Sequence, residues 1–284
     1  MAAVNTNRGS LALPSAVSSE ILQTVQNESK VMRLARQITL PGTGATIPVL
    51  TGDPVANWVG ETERKTVADP TIATKTMQGY KLAVIVPFSN EFKRDLETLY
   101  NAIVNRLPAA LGLEFDKTVF GGKTAPGSNF DTMASCTSVA FTNKTAYTQM
   151  CEIKKNIGEK NFALNGIVLS PAGEAIFLNA TDSNGRPLFL NSATEGALGK
   201  IVGADTYVTP AALNGTVKGV AGDWNQAIYG MVEGIKIDFS EQATLGSGDS
   251  AINLWQQNMF AVRAEMEVGF RANLDAFNLI SVTA

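Results

Sequence analysis

The chain has 284 residues, 45% hydrophobic and 17% charged, with a formal net charge of −3, which allows one large domain or two ordinary ones and a core that needs no disulfide or metal. It contains no histidine, so Ser-His and Cys-His nucleophile pairs and imidazole metal sites are excluded. Basic residues never run beyond two in a row (64–65, 93–94, 154–155), which argues against a groove that grips nucleic acid through many phosphates.

Residues 1–18 are small and polar, with Pro14, and read as an arm. In 18–37 the apolar positions Ile21, Leu22, Val25, Met32 and Leu34 fit a short helix capped by Ser18 or Ser19. "ITLPGTGATIPVL" (38–50) gives two short β-rich runs around a Pro-Gly/Thr-Gly turn. Residues 51–80 are rich in Thr, charge, Gly and Pro, with Trp58 the only large aromatic before Tyr80. So long a polar excursion reads as a two-stranded loop that projects from the body, and an isolated ribbon needs a neighbour to lie on.

"KLAVIVPF" (81–88) reads as a buried strand. A helix starting at Ser89 or Asn90 places Phe92, Leu96, Leu99, Ile103 and Leu107 on one face. Pro108 predicts a kink or break there. The pattern resumes at Leu111, Phe115 and Val119 and ends at Gly121-Gly122. A continuous 89–120 helix would be about 48 Å long, which suits an elongated subunit.

Residues 123–142 look irregular, and "NKTAYTQMCEIKKNIG" follows as an amphipathic helix. Then come a buried strand, "GIVLS", and a short helix, "PAGEAIFL", with Pro171 in its first turn. "GKIVGADTYV", "GVAGDW" and "MVEGIKIDF" are further strands, so an α/β subdomain of roughly 120 residues is expected. In 260–271, Phe260, Val262, Ala264, Met266, Val268 and Phe270 alternate with Ala261, Arg263, Glu265, Glu267, Gly269 and Arg271. This is a strand of about 40 Å with one buried and one charged face, and the long helix is expected to lie along it.

Residues 181–190, "TDSNGRPLFL", suggest a metal or phosphate loop by their letters. Counted from Asp182, however, the sixth residue is Pro187 and the twelfth Ala193, where a calcium loop needs Gly and Glu. No Gly-rich Lys-Ser/Thr loop opens a helix either. Asp182, Asn184, Gly185, Arg186 and Pro187 therefore read as a tight turn, with Arg186 and Pro187 facing a neighbour or bracing the next strand. No G-x-S-x-G elbow is present, so no catalytic residue, cofactor or metal is expected. Cys136 and Cys151 lack a CxxC pattern and read as reduced thiols. No window resembles a membrane span or a secretory signal, and no membrane partner is expected.

Several stretches, in order, resemble the major capsid proteins of tailed bacteriophages, whose fold encapsulins share. These are "ITLPGTGATIPVLTGDPVANWVGETERKTVADPT", "KLAVIVPFSNEF", "SPAGEAIFLNATDSNGRPLFL", "GDWNQAIYGMVEGIKIDFSEQA" and "NMFAVRAEMEVGFRANLDAFNLI". The resemblance implies an α+β fold with an N-terminal arm (1–40), an extended β-hairpin loop (51–80) and a peripheral domain (38–50, 81–122, 251–284) with a long spine helix and a long strand. It also implies an axial α/β domain (123–250). In that family the axial domains meet around five-fold and quasi-six-fold centres, and the extended loop lies over an adjacent subunit. Trp58, Glu61, Glu63, Arg64, Lys65 and Lys75 are the loop residues expected to make intersubunit contacts.

The implied function is that of a structural subunit, forming pentamers and hexamers that close as an icosahedral head around double-stranded DNA. The alternative is an encapsulin-like shell around a protein cargo. Some relatives carry a long N-terminal extension as a built-in scaffold. Here the family's arm is reached within forty residues, so a separate scaffolding protein is expected. A portal, a decoration protein and non-specific proximity to packaged DNA complete the implied partners, with assembly in the host cytoplasm and the virion as destination. Some relatives join subunits through a lysine–asparagine isopeptide bond. Lys65 and Lys75 lie in the corresponding loop, but no motif marks an asparagine partner, so non-covalent locking is the favoured reading.

Overall fold

The computed structural model describes residues 25–26, 28–50, 57–59, 61–62, 64–65, 67, 72–91, 96–142, 144–182, 184–189, 199–211, 215–246 and 251–282. Most of the expected arm, Phe92 and Glu63 lie outside these residues. In chain order, helix α1 (Lys30–Leu34) precedes strand β1 (Arg36–Thr39), and β2 (Ala45–Leu50) and β3 (Ile72–Met77) follow. Next come β4 (Tyr80–Ser89), helix α2 (Leu96–Val119), β5 (Thr137–Phe141) and helix α3 (Ala146–Gly158). They are followed by β6 (Gly166–Leu169), helix α4 (Pro171–Leu178), β7 (Lys200–Ile201), β8 (Ala204–Val208) and β9 (Val217–Gly222). The last are β10 (Ala227–Ser240), β11 (Thr244–Leu245), β12 (Ile252–Asn253), β13 (Met259–Ala272) and β14 (Phe277–Val282).

Two main sheets carry the molecule. The first is four-stranded in the order β1-β10-β13-β4, and the second six-stranded in the order β5-β14-β9-β6-β8-β7. In β13 the alternation holds: Phe260, Val262, Ala264, Met266, Val268 and Phe270 are all buried. They share one core with Leu107, Leu111, Phe115 and Val119 of α2, so the helix lies on this sheet. Phe270 sits 6.3 Å from the Phe115 ring and 6.1 Å from the Phe130 ring, centroid to centroid. On the opposite face of β13, Arg263 pairs with Asp238 of β10 at 2.5 Å and Glu265 with Lys81 of β4 at 3.9 Å.

The six-stranded sheet is apolar on both faces, and its residues divide by period two. Ile167, Leu169, Ala221 and Ile280 face a core made with Met150, Ile153 and Ile157 of α3 and Phe177 of α4. Their neighbours Val168, Val220 and Leu279 face the core that contains α2. Ser170 caps α4 by accepting from Gly173 N at 3.1 Å, with Pro171 in the first turn as the sequence implies.

Four features differ from expectation. Helix α2 runs unbroken through Pro108, so of the kink or break expected there the break does not occur. The ring is buried, and packing on the sheet outweighs one lost backbone bond. Strand β4 is an edge strand with exposed Lys81, Ala83 and Ile85, so an apolar run here marks one buried face rather than two. The stretch 123–142 contains β5, whose Val139 and Phe141 point into the core.

The fourth difference is where the chain changes sheet. Strand β10, inside 123–250, belongs to the four-stranded sheet, and β14, inside 251–284, is internal to the six-stranded one. The crossings are two 3-10 turns, Trp224–Gln226 and Leu274–Ala276. Asp223 and Asn273 cap them, each accepting from the backbone N–H two residues on. The turns also bond to each other: Asp223 N donates to Ala276 O at 3.0 Å, and Asn273 N donates to Gln226 O at 3.1 Å. Trp224 packs edge-on to Phe277 and donates its indole N–H to Gly166 O at 3.1 Å.

Phe270→Ala is expected to cost about 3–5 kcal/mol, because a buried ring would leave a cavity beside Phe115 and Phe130. Ile85→Ala on the exposed face of β4 should stay within about 0.5 kcal/mol. Urea midpoints of the two variants check the contrast.

Candidate intersubunit surfaces

Strands β2 and β3 form an antiparallel ribbon in register from Ala45↔Met77 to Leu50↔Ile72. The paired stem therefore begins at Ala45, ahead of the 51–80 boundary. The chain enters the ribbon through a turn closed by Gly44 N donating to Pro41 O at 2.8 Å, with Gly44 at φ +86°. Beyond the stem, Trp58 is fully exposed, Val67 is 88% exposed, and Val59 is exposed. Glu61, Arg64 and Lys65 are exposed as well. A soluble surface seldom leaves a tryptophan entirely in water unless something covers it.

Lys75 differs from the other predicted contact residues. Its ammonium sits 3.1 Å from Asp131 Oδ2 and donates to Ala272 O at 3.0 Å, so it serves its own chain. The centre of this cluster is Arg271, at the end of β13. Its guanidinium reaches Asp131 Oδ1 at 2.6 Å, Thr76 O at 2.6 and 2.8 Å, and Asn129 Oδ1 at 3.0 Å. Arg271 and Asp131 are 11% and 14% exposed, so this is a largely desolvated pair whose donors and acceptors are matched. The fork spans three segments: β13, the end of β3 and the loop after α2. It thereby fastens the ribbon's stem to the body.

A second buried carboxylate holds the N-terminal segment. Asp116 of α2 accepts from Ser29 Oγ at 2.5 Å, Lys30 N at 2.8 Å and Val31 N at 3.3 Å. Ser29 in turn caps α1 by accepting from Met32 N at 3.1 Å. One turn earlier on α2, a Cβ at Gly112 would approach Val25 O to 3.2 Å, so the segment lies close against the helix. Burial pushes the Asp116 carboxyl up to about 6, outweighing the three donors and the nearby Lys30 charge, which lower it. Burial likewise pushes the Cys136 thiol up to about 12, which leaves it protonated and unreactive.

The 182–187 stretch is a tight turn. Asp182 Oδ1 accepts from Asn184 N at 2.9 Å and Arg186 N at 2.8 Å, and Gly185 takes φ +79°. Thr181 bridges Pro187, Leu188 N donates to Ala180 O at 3.0 Å, and Phe189 packs edge-on to Phe177. Pro187 thus helps brace the returning chain, while Asn184, Gly185 and Arg186 are exposed. This turn lies on the six-stranded half of the molecule and is not joined to the ribbon cluster. Among the described residues, no group of three or more Cys, Asp or Glu could hold a metal ion, and no helix is long and apolar enough to cross a membrane.

Sequence reasoning placed Arg271 only as a wet-face charge and did not single out Asp116, Ser29 or Asp131. A signal existed for Asp116, which falls within the helical stripe of Leu111, Phe115 and Val119 and needs donors there. For Asp131 there was none, since its partners lie 56 and 140 residues away.

The model of the Phage capsid family matches residues 9–281. The "Probable major capsid protein gp17" of Mycobacterium phage D29 is 30% identical over 275 residues, spanning 91% of this chain and 85% of the relative. The protein of the same name from Mycobacterium phage L5 is 31% identical over 273 residues, spanning 88% and 82%. Among solved structures, a chain from Gordonia phage Cozz superposes with a TM-score of 0.73 at 19% identity, covering 90% of this chain and 87% of its own. A chain described as "Capsid of empty GTA particle computed with C5 symmetry" gives 0.65 at 14% identity, with 90% of both chains covered.

Arg271→Ala should destabilise the subunit by about 3–5 kcal/mol, because Asp131 would stay buried without its main partner. The pH dependence from Asp116 has a definite sign. Its folded value of about 6 lies above the ordinary 3.8, so its contribution is fully present below about pH 4 and lost as pH rises through 6. The loss is on the order of 3 kcal/mol, and Asp116→Asn should flatten that slope in urea titrations between pH 4 and 7.

Proposed function

Since the chain belongs to the phage capsid family, we propose that it builds a phage head by closing into pentamers and hexamers, each ribbon laid across the adjacent subunit. The supporting observation is the contrast within the ribbon. Its stem is fastened by a desolvated ion pair, while Trp58, Val59 and Val67 beyond it stand in water. A second copy burying Trp58 would gain about 2–3 kcal/mol per subunit. Repeated around a ring, such modest gains add steeply. Ring contacts of this kind are heterologous and generate closed assemblies when the rotation closes.

The protein is a structural subunit and not an enzyme, in keeping with its family. The relatives are named as phage capsid proteins, which favours a head over a cargo-enclosing compartment. Scaffolding, portal and decoration proteins enter this reading through the family resemblance, as does assembly in the host cytoplasm. The net charge of −3 suits a wall that lies near packaged DNA without gripping it. With Lys75 bound at home, Lys65 is the exposed lysine of the pair, and the favoured locking is non-covalent. Glu61, Arg64 and Lys65, with Glu63 beside them in sequence, supply charges of both signs at the contact. Arg186 would face a neighbour across the ring.

Sedimentation of the full chain with its scaffold should show pentamers, hexamers or closed particles. Trp58→Ala should abolish or sharply reduce them while leaving subunit stability within about 0.5 kcal/mol, since the indole is fully exposed. A wild-type chain that stays monomeric at high concentration with scaffold present contradicts the reading.

A further inference from the structure

The chain leaves the four-stranded sheet for the ribbon at Leu40 and returns at Met77. Both side chains are buried, at 2% and 0% exposure, although beyond them Trp58 and Val67 stand exposed. They fit because two glycines face each other across the β10–β13 ladder, Gly230 opposite Gly269. A Cβ at Gly230 would come within 2.4 Å of Leu40 Cγ and 2.8 Å of Met77 Sδ. A Cβ at Gly269 would come within 2.4 Å of Gln78 O and 3.1 Å of Met77 Cγ. Neither glycine has positive φ, so space alone demands them. Mid-strand glycine weakens a sheet, and such a residue often marks the close approach of another backbone.

We infer that Gly230 and Gly269 form a socket for the ribbon's base and, with the Arg271 fork two residues further along β13, set the direction in which the ribbon leaves the subunit. The socket takes Leu40 from the incoming strand and Met77 and Gln78 from the outgoing one, so both legs are held at one point. Arg271 then holds the outgoing leg through Thr76 O. Two fastenings on adjacent segments remove the rocking that one would allow. Their effect on assembly rests on the shell reading: a ribbon leaving at a different angle meets its neighbour out of register, and rings of such subunits do not close.

The test places spin labels on the full chain at Thr74→Cys and Lys236→Cys, both exposed positions, in a Cys151→Ser background, on unassembled subunits. The wild-type arrangement should give one narrow distance. Gly269→Ala, whose new methyl would meet a backbone oxygen, should shift or broaden it. Gly230→Ala should do so too, and adding Leu40→Ala, which empties the space the methyl enters, should restore the narrow distance. That restoration separates a socket from a general loss of stability, and it decides the matter even if Gly269→Ala fails to fold. Unchanged distances in the glycine variants, or no restoration by Leu40→Ala, overturn the inference. In assembly, folded Gly269→Ala subunits should give open or irregular particles where wild type closes, and normal closed particles would overturn the role in direction. If wild type itself never assembles, the shell reading falls while the distances still decide the socket.

Discussion

Two short turns hydrogen-bonded to each other hold the halves of this subunit together. Each sheet sends one strand to the other through a capped 3-10 turn, and the turns exchange backbone bonds between Asp223 and Ala276 and between Asn273 and Gln226. Trp224 fills the seam between the sheets against Phe277 and Phe120. Displacing either half would break these bonds and uncover Trp224, Ala276 and Phe277, which are buried at the seam. The Arg271 fork lies two residues before Asn273, the cap of the second turn, so the ribbon's fastening is built on the same seam.

Rigidity and exposure are therefore divided along the chain. Strand β13 buries one face against the spine helix, carries ion pairs on the other and ends in the fork. The N-terminal segment is fixed to the same helix through Asp116. Beyond the ribbon's paired stem, by contrast, the apolar side chains of Trp58, Val59 and Val67 are exposed. A shell subunit needs this division, because a contact made by a wandering arm would lose in ordering entropy much of what it gained by burial.

Local patterns in the sequence were enough to reveal the long strand, the amphipathic helices, the Pro-started helix α4 and the Asp182 turn. Each depends on residues within a few positions of one another, where period and turn chemistry act directly. The sheet memberships of β10 and β14 were not legible, because strand pairing joins residues far apart and both strands are apolar enough for either sheet. Strand β4 looked buried because one apolar face and two read alike when exposed positions are filled by Ala83 and Ile85. Gly230 and Gly269 appeared only as glycines in strands. What they make room for, Leu40 and Met77, lies more than 150 residues earlier in the chain. Lys75 stands among the expected outward contacts only through the resemblance of its loop, and the carboxylate that holds it, Asp131, comes from a stretch with no pattern at all.

In the proposed head the ribbon reaches a second copy of the chain while its stem stays locked to its own body. Electron cryomicroscopy of particles assembled from the full chain tests this directly. The expected density is a closed shell in which the β2–β3 stem rests on the Arg271 fork of its own subunit and Trp58 is buried against the next one. A shell in which Trp58 remains in solvent, or in which the ribbon folds back over its own sheet, would contradict the account.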